Sequence, residues 1–110
     1  MTLDDLRAFG ADVDDGLARC MNNEDFYLRL VGMVQNDAGF DKLAAALAEN
    51  NLKAAFEAAH ALKGVLGNLS LTPLFQPVQE ITELLRAETQ MDYSDLLATI
   101  LAKRDEFLAL

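Results

Sequence analysis

Apolar residues recur at three- and four-residue spacing along most of the chain, which is the period of an amphipathic α-helix. The clearest stripe consists of Leu74, Val78, Ile81 and Leu85, and similar stripes run through residues 26–34 and 96–107. No segment alternates strictly between apolar and polar residues, as a half-buried β-strand would. The pattern therefore predicts an all-α protein.

Residues that commonly cap helices precede five of the predicted helices, because their side-chain oxygens can accept a backbone N–H of the first turn. These residues are Thr2, Asp12, Asn23, Thr72 and Asp92. A further, alanine-rich helix is predicted from Phe40 to Leu47. Pro73 would occupy a first helical position, and Pro77 predicts a kink or a later helix start. Since short joints favour antiparallel neighbours, we expect an antiparallel up-and-down four-helix bundle with short extra N-terminal helices.

The composition limits the classes of function. The 110 residues are 52% hydrophobic and 25% charged, which predicts a single globular domain over residues 1–110. The net charge of −9 argues against nucleic-acid binding, which needs a basic surface, and against binding to anionic membranes. No apolar run approaches the ~20 residues that cross a bilayer, and the N-terminus is acidic, so we expect a cytoplasmic protein.

Metal sites are not indicated by the sequence. Cys20 is the only cysteine, which excludes an internal disulfide and a cysteine-based zinc site. Its helical spacing from Val13 and Leu17 predicts a buried thiol. The acidic run from Asp12 to Gly16 lacks the register and the distant glutamate of a calcium-binding loop, so it predicts a solvated helix cap. We expect no metal and no cofactor.

The only histidine, His60, lies in the middle of a polar and small-residue face of its helix. On a wheel of about 100° per residue, Leu62 and Leu69 fall on the opposite side, toward the core. His60 is therefore predicted to face solvent, where a neutral imidazole can act as a nucleophile near neutral pH. Lys63, one turn away, can offset the charge of a phosphoryl group.

Gly64 lies next to the imidazole on the same wheel and carries no side chain that would shield it. A glycine in mid-helix costs about 0.5–1 kcal/mol relative to alanine, so this residue serves either access to His60 or close packing of another helix. Phe56, one turn before His60, either belongs to a partner-binding patch or packs against a neighbouring helix. Other residues cluster around the histidine on the wheel, and we expect them to contact a partner. They are Glu57, Gly67 and Asn68.

The segment His60-Ala-Leu-Lys63-Gly64, followed by Asn68-Leu69-Ser70-Leu71, resembles the histidine-containing phosphotransfer (HPt) domain of multistep two-component phosphorelays. The resemblance covers residues 58 to 86 well, and helix number and length extend it over nearly the whole chain. It implies a four-helix bundle with the active histidine exposed halfway along one helix. Ser70 departs from the family pattern, which has a glycine at this turn.

The resemblance implies that His60 accepts a phosphoryl group from a receiver-domain aspartyl phosphate and relays it to another receiver. Lys63 would neutralise the phosphate, and Gly64 would give access. On the next helix, Arg86 matches a second basic position near the site, and Thr82 matches a position where some members place a glutamine. The implied partners are response-regulator receiver domains and the receivers of hybrid histidine kinases, and we expect a monomer.

Two other functions are less consistent with the sequence than a phosphocarrier. A helical interaction module would bind receiver domains independently of phosphorylation, but the joint presence of His60, Lys63 and Gly64 speaks against it. An enzyme is disfavoured because the chain has no glycine-rich phosphate loop and no room for an ATP-binding domain. The sequence therefore predicts a phosphocarrier without autonomous kinase activity.

Overall fold

The computed structural model describes all 110 residues, which form seven α-helices and no β-strand. The helices are α1 (Leu3–Phe9), α2 (Val13–Arg19), α3 (Glu24–Gln35), α4 (Gly39–Ala48), α5 (Leu52–Asn68), α6 (Thr72–Arg86) and α7 (Ser94–Leu108). The all-α class and the short N-terminal helices are confirmed, and five helices of ten residues or more follow them. No helix combines the length and the apolar character needed to cross a membrane.

Side-chain caps begin the first three helices where the sequence predicts them. At α1, the Asp5 N–H donates to Thr2 Oγ1 at 3.1 Å, and the Thr2 N–H donates back to the Asp5 carboxylate at 2.9 Å. Asp12 and Asn23 each accept a backbone N–H in the first turn of α2 and α3. Asn51 caps α5 in the same way. Local side-chain chemistry thus defines these starts.

The start of α6 differs from the prediction. Leu71 occupies the N-cap position, so Thr72 is the first helical residue and not the cap. The Thr72 hydroxyl instead donates to the Ser70 carbonyl at 3.4 Å. Leu71 is fully buried, so core packing defines this boundary. Pro77 lies inside α6, which is continuous from residue 72 to 86, so the later start considered for this helix is wrong.

The start of α7 is also defined by packing. The helix begins at Ser94, and Tyr93 occupies the N-cap position, where its ring is buried and its hydroxyl donates to the Thr89 carbonyl at 2.6 Å. Asp92 therefore does not cap the helix as predicted. Its carboxylate accepts the Ser94 backbone N–H at 2.9 Å, which is the short-range turn bond common for aspartate.

Helix α5 packs between α4 and α6. Arg86 at the end of α6 lies over the ring of Phe56 near the start of α5, whereas Phe75 near the start of α6 lies against Gly67 near the end of α5. These two contacts show that α5 and α6 run antiparallel. One face of α5 between its two neighbours stays open to solvent.

A single core of 23 buried residues draws on all seven helices. Leu62 and Leu66 supply the buried face of α5, opposite its open face. Leu6 of α1 and Val13 of α2 belong to the same core. Cys20 is buried and free, as the sequence predicts.

The turn between α5 and α6 is held by the N-terminal segment. The buried Tyr27 hydroxyl donates to the Leu69 carbonyl at 2.9 Å, and the Asp12 N–H donates to the Ser70 carbonyl at 3.0 Å. Ser70 has a φ of +54°, in the left-handed region that favours glycine. Its hydroxyl donates to the Asp15 carboxylate, a bond that a glycine could not make. This bond gives the Ser70 side chain a structural role at the turn.

We expect Gly16→Ala to destabilise the protein, because an added Cβ would lie 2.5 Å from Cε1 of the fully buried Tyr27. Overpacking of this kind costs about 1–3 kcal/mol of unfolding free energy. Thermal denaturation should therefore show a midpoint lower by several degrees. Gly32→Ala is the matched control, since nothing lies within 4 Å of a Cβ there. Equal midpoints for the two variants would contradict the close packing of α2 on Tyr27.

The stability contribution of Asp15 should depend on pH. The Ser70 hydroxyl, followed by the Arg19 guanidinium, holds the pKa of Asp15 below its usual value. A depressed folded-state pKa contributes stability that is present above the unfolded-state pKa of about 4 and is lost as pH falls through the folded value. We therefore expect Asp15→Asn to be less stable than wild type at pH 7, with the difference shrinking below about pH 4. Urea unfolding at pH 7 and pH 3 measures this, and an unchanged difference would refute it.

Candidate functional site

His60 lies halfway along α5, on the face that neither α4 nor α6 covers, and its side chain is exposed. The helical wheel predicts this orientation, because the buried residues of α5 lie on the other side. Asn51 caps the start of the helix, and Leu62 and Leu66 bury its opposite face in the core. The backbone that carries His60 is therefore anchored by the cap and by core packing. The imidazole is therefore a solvent-accessible group on an anchored helix.

Phe56 holds one face of the imidazole. The two ring centroids lie 5.4 Å apart with an interplanar angle of 18°, so the rings are stacked. The guanidinium carbon of Arg86, on α6, lies 5.0 Å from the centroid of the Phe56 ring, within the range of a cation–π contact. Phe56 is half-buried and also packs against the core. Phe56 therefore contacts both His60 and Arg86 of the neighbouring helix, and it is not merely an exposed apolar side chain.

Lys63 and Arg86 share one carboxylate. Lys63 Nζ lies 3.2 Å from Glu83 Oε1, and Arg86 Nε lies 3.3 Å from Glu83 Oε2. The hydrogen bond from Lys63, with smaller contributions from the charges of Arg86 and Lys63, lowers the pKa of Glu83, although partial desolvation opposes this. The structure therefore brings Lys63 and Arg86 to one carboxylate at the α5–α6 edge, with Lys63 one helical turn after His60.

Sequence reasoning missed Glu83. The acid lies three residues before Arg86, a spacing that brings two side chains onto the same helix face, so the Glu83–Arg86 pair was detectable. The bond to Lys63 depends on the register of α6 against α5, which the sequence pattern does not contain.

The two glycines after His60 have different environments. A Cβ at Gly64 would meet nothing within 4 Å, so packing within the chain does not require glycine there. A Cβ at Gly67 would lie 3.2 Å from Phe75 Cε2, tighter than most real contacts. Close packing with α6 therefore explains Gly67, whereas it does not explain Gly64.

A groove of about 470 Å³ opens beside the imidazole. His60, Lys63 and Gly64 line one end of it, and Asn68 lies exposed along the same wall. Arg19, held at 2.9 Å by Asp15, lines the groove from α2. The groove thus brings a nucleophile, two cations and the carboxylates of Asp12 and Asp15, from two separate parts of the chain, to one surface.

Two other candidate residues are placed apart from this groove. Glu57 lies on the α4 side of α5, in a groove lined largely by alanines from both helices. Thr82 is fully buried, and its hydroxyl donates to the Val78 carbonyl at 2.6 Å. Thr82 therefore does not face the imidazole, because this residue lies on the core side of α6.

Among known protein families, residues 33–109 match the family model described as the Hpt domain. The match includes α4 to α7 and therefore the whole of the helix that carries His60. No curated protein and no solved structure matches the chain. No group of three or more histidine, cysteine, aspartate or glutamate residues is placed to hold a metal ion.

Proposed function

This chain belongs to the Hpt domain family, and we propose that it carries a phosphoryl group on His60 between receiver domains. The family consists of phosphocarrier modules of phosphorelays, not kinases. The observation that supports the proposal most is the open face of α5, where an exposed imidazole lies one turn from Lys63. Gly64 adds to it, because no contact within the chain accounts for a glycine there.

In the proposed reaction, the neutral imidazole of His60 attacks the phosphorus of an aspartyl phosphate in line. The bond from Nε2 to phosphorus forms as the P–O bond to the partner's aspartate breaks, and the electron pair stays on the departing carboxylate. Nε2 is the attacking atom because it lies farther from the backbone than Nδ1. The reverse sequence passes the group to a second receiver.

The neighbouring side chains take separate parts in this reaction. Lys63 neutralises charge on the phosphoryl oxygens, and Arg86 is a second cation at the same edge. Phe56 holds the imidazole plane through the stacked contact. Phosphoryl transfer depends on an in-line approach of the donor, and Gly64 leaves this approach to the imidazole open.

The partner surface surrounds the imidazole. We assign Phe56, Glu57, Gly67, Asn68 and Arg86 to it, with Gly67 acting through its close contact with Phe75. Response-regulator receivers and the receivers of hybrid kinases are the proposed partners. Residues 1–110 would act as one domain, since α1 and α2 share the core of the other helices, and the monomeric state and cytoplasmic location stay predictions.

The experiment that tests the proposal is incubation of the chain with receiver domains that carry radiolabelled aspartyl phosphate. Acid-labile, base-stable label on the chain is expected, because this stability identifies phosphohistidine. Receiver binding without any label would instead favour the phosphorylation-independent interaction module. If a full set of receivers gave no label and showed no binding, both functions would be contradicted.

A further inference from the structure

Glu83 connects to His60 by two routes. The first is a charge contact, since Oε1 pairs with Lys63 and Lys63 lines the same groove as the imidazole. The second is a stacking route, since Oε2 pairs with Arg86, whose guanidinium lies over Phe56. Phe56 in turn stacks on the imidazole. One carboxylate on α6 therefore fixes both the cation next to the nucleophile and the ring behind it.

We propose that Glu83 is a positioning residue that holds Lys63 beside the unmodified His60 and gives it up to the phosphoryl group after transfer. The inference rests on the proposed function and deepens it. A phosphoryl group carries more negative charge than a carboxylate and offers three acceptor oxygens, so it competes well for an ammonium within reach. Arg86 remains over Phe56 and keeps the imidazole in place.

The environment of the pair suits an exchange of partners. The Lys63 side chain is only 26% exposed, whereas that of Glu83 is 51% exposed. The lysine is therefore confined near the groove, and the glutamate can return to water when the pair opens. Since exposed ion pairs contribute little to stability, opening this one has a low cost to the fold.

The pair should shorten the lifetime of the phosphohistidine. Hydrolysis of the N–P bond passes through a loose transition state in which charge moves from the phosphoryl oxygens toward the leaving imidazole. A cation on those oxygens stabilises the phosphorylated state more than the transition state, so it slows hydrolysis. Glu83 competes for this cation, and its removal should leave Lys63 fully available.

Phosphoramidate allows a test that needs no protein partner. The His60 Nε2–P bond forms as the P–N bond of the donor breaks, and ammonia leaves. The half-life of the phosphohistidine is then followed by ³¹P NMR in wild type, Glu83→Gln, Lys63→Met and the double variant. Glu80→Gln is the matched control, because Glu80 is an exposed acid on the same helix.

We expect Glu83→Gln to lengthen the half-life severalfold and Lys63→Met to shorten it, while Glu80→Gln matches wild type. In the Lys63→Met background, Glu83→Gln should have little effect on the half-life, because the exchange of partners acts through the lysine and Arg86 remains over Phe56. A half-life that is unchanged or shorter in Glu83→Gln, or the same change in both backgrounds, would overturn the proposal. Failure of the phosphocarrier function would look different, since receivers would not transfer label to a chain that phosphoramidate still modifies.

Discussion

Replacing His60 with glutamine will abolish acid-labile labelling of the chain by phosphorylated receivers. Glutamine has no nucleophilic nitrogen at this position, and the chain contains no other histidine that could take the group. The fold should persist, because His60 is exposed and surface substitutions usually change unfolding free energy by less than about 0.5 kcal/mol. Labelling and thermal denaturation of the same preparations measure the two effects.

The two readouts separate a chemical role for His60 from a structural one. A loss of label together with an unchanged helical spectrum and a midpoint within about 4 °C of wild type is the expected combination. Residual acid-labile label on His60→Gln would show that another residue carries the phosphoryl group. A large loss of helicity would show that the imidazole supports the fold, contrary to its exposed position on α5.

Replacing Gly64 with leucine should stabilise the protein and slow transfer from receivers at the same time. A Cβ at this position meets no atom within 4 Å, and leaving glycine in mid-helix gains roughly 0.8–1 kcal/mol. The leucine side chain would stand beside the imidazole and obstruct a docked partner. Since small misplacements of reacting groups slow reactions strongly, we expect a rate lower by on the order of 10–100-fold.

Gly32→Leu is the matched control for this prediction. Gly32 is also an open mid-helix glycine, but it lies on α3 and not beside His60. It should raise the melting midpoint similarly and leave the transfer rate unchanged. Rapid-quench measurement of transfer gives the rates, and equal rates for Gly64→Leu and wild type would refute the access role.

The fold was largely predictable because its signals are local. Amphipathic stripes mark the helices, and the caps at Thr2, Asp12 and Asn23 form as the sequence predicts. The starts of α6 and α7 were not predictable in this way. Burial of Leu71 and Tyr93 defines them, and burial depends on helices distant in the chain.

The same difference between local signals and contacts of distant helices separates the predictable from the unpredictable features of the site. The exposure of His60 follows from the phase of its own helix, which the wheel captures. The burial of Thr82 was not foreseen, because a one-residue difference in the phase of α6 separates the core from the surface, where Glu83 lies. The pairing of Lys63 with Glu83 needs the register of two helices, so no single-helix pattern contains it.

The most direct test of the central claim is a single-turnover time course with one phosphorylated receiver, the chain and a second, unphosphorylated receiver. Label should leave the first receiver, appear transiently on His60 and then accumulate on the second receiver. The His60→Gln chain should leave the label on the first receiver. Label that passes directly to inorganic phosphate, or reaches the second receiver equally well with His60→Gln, would contradict a phosphoryl carrier at this residue.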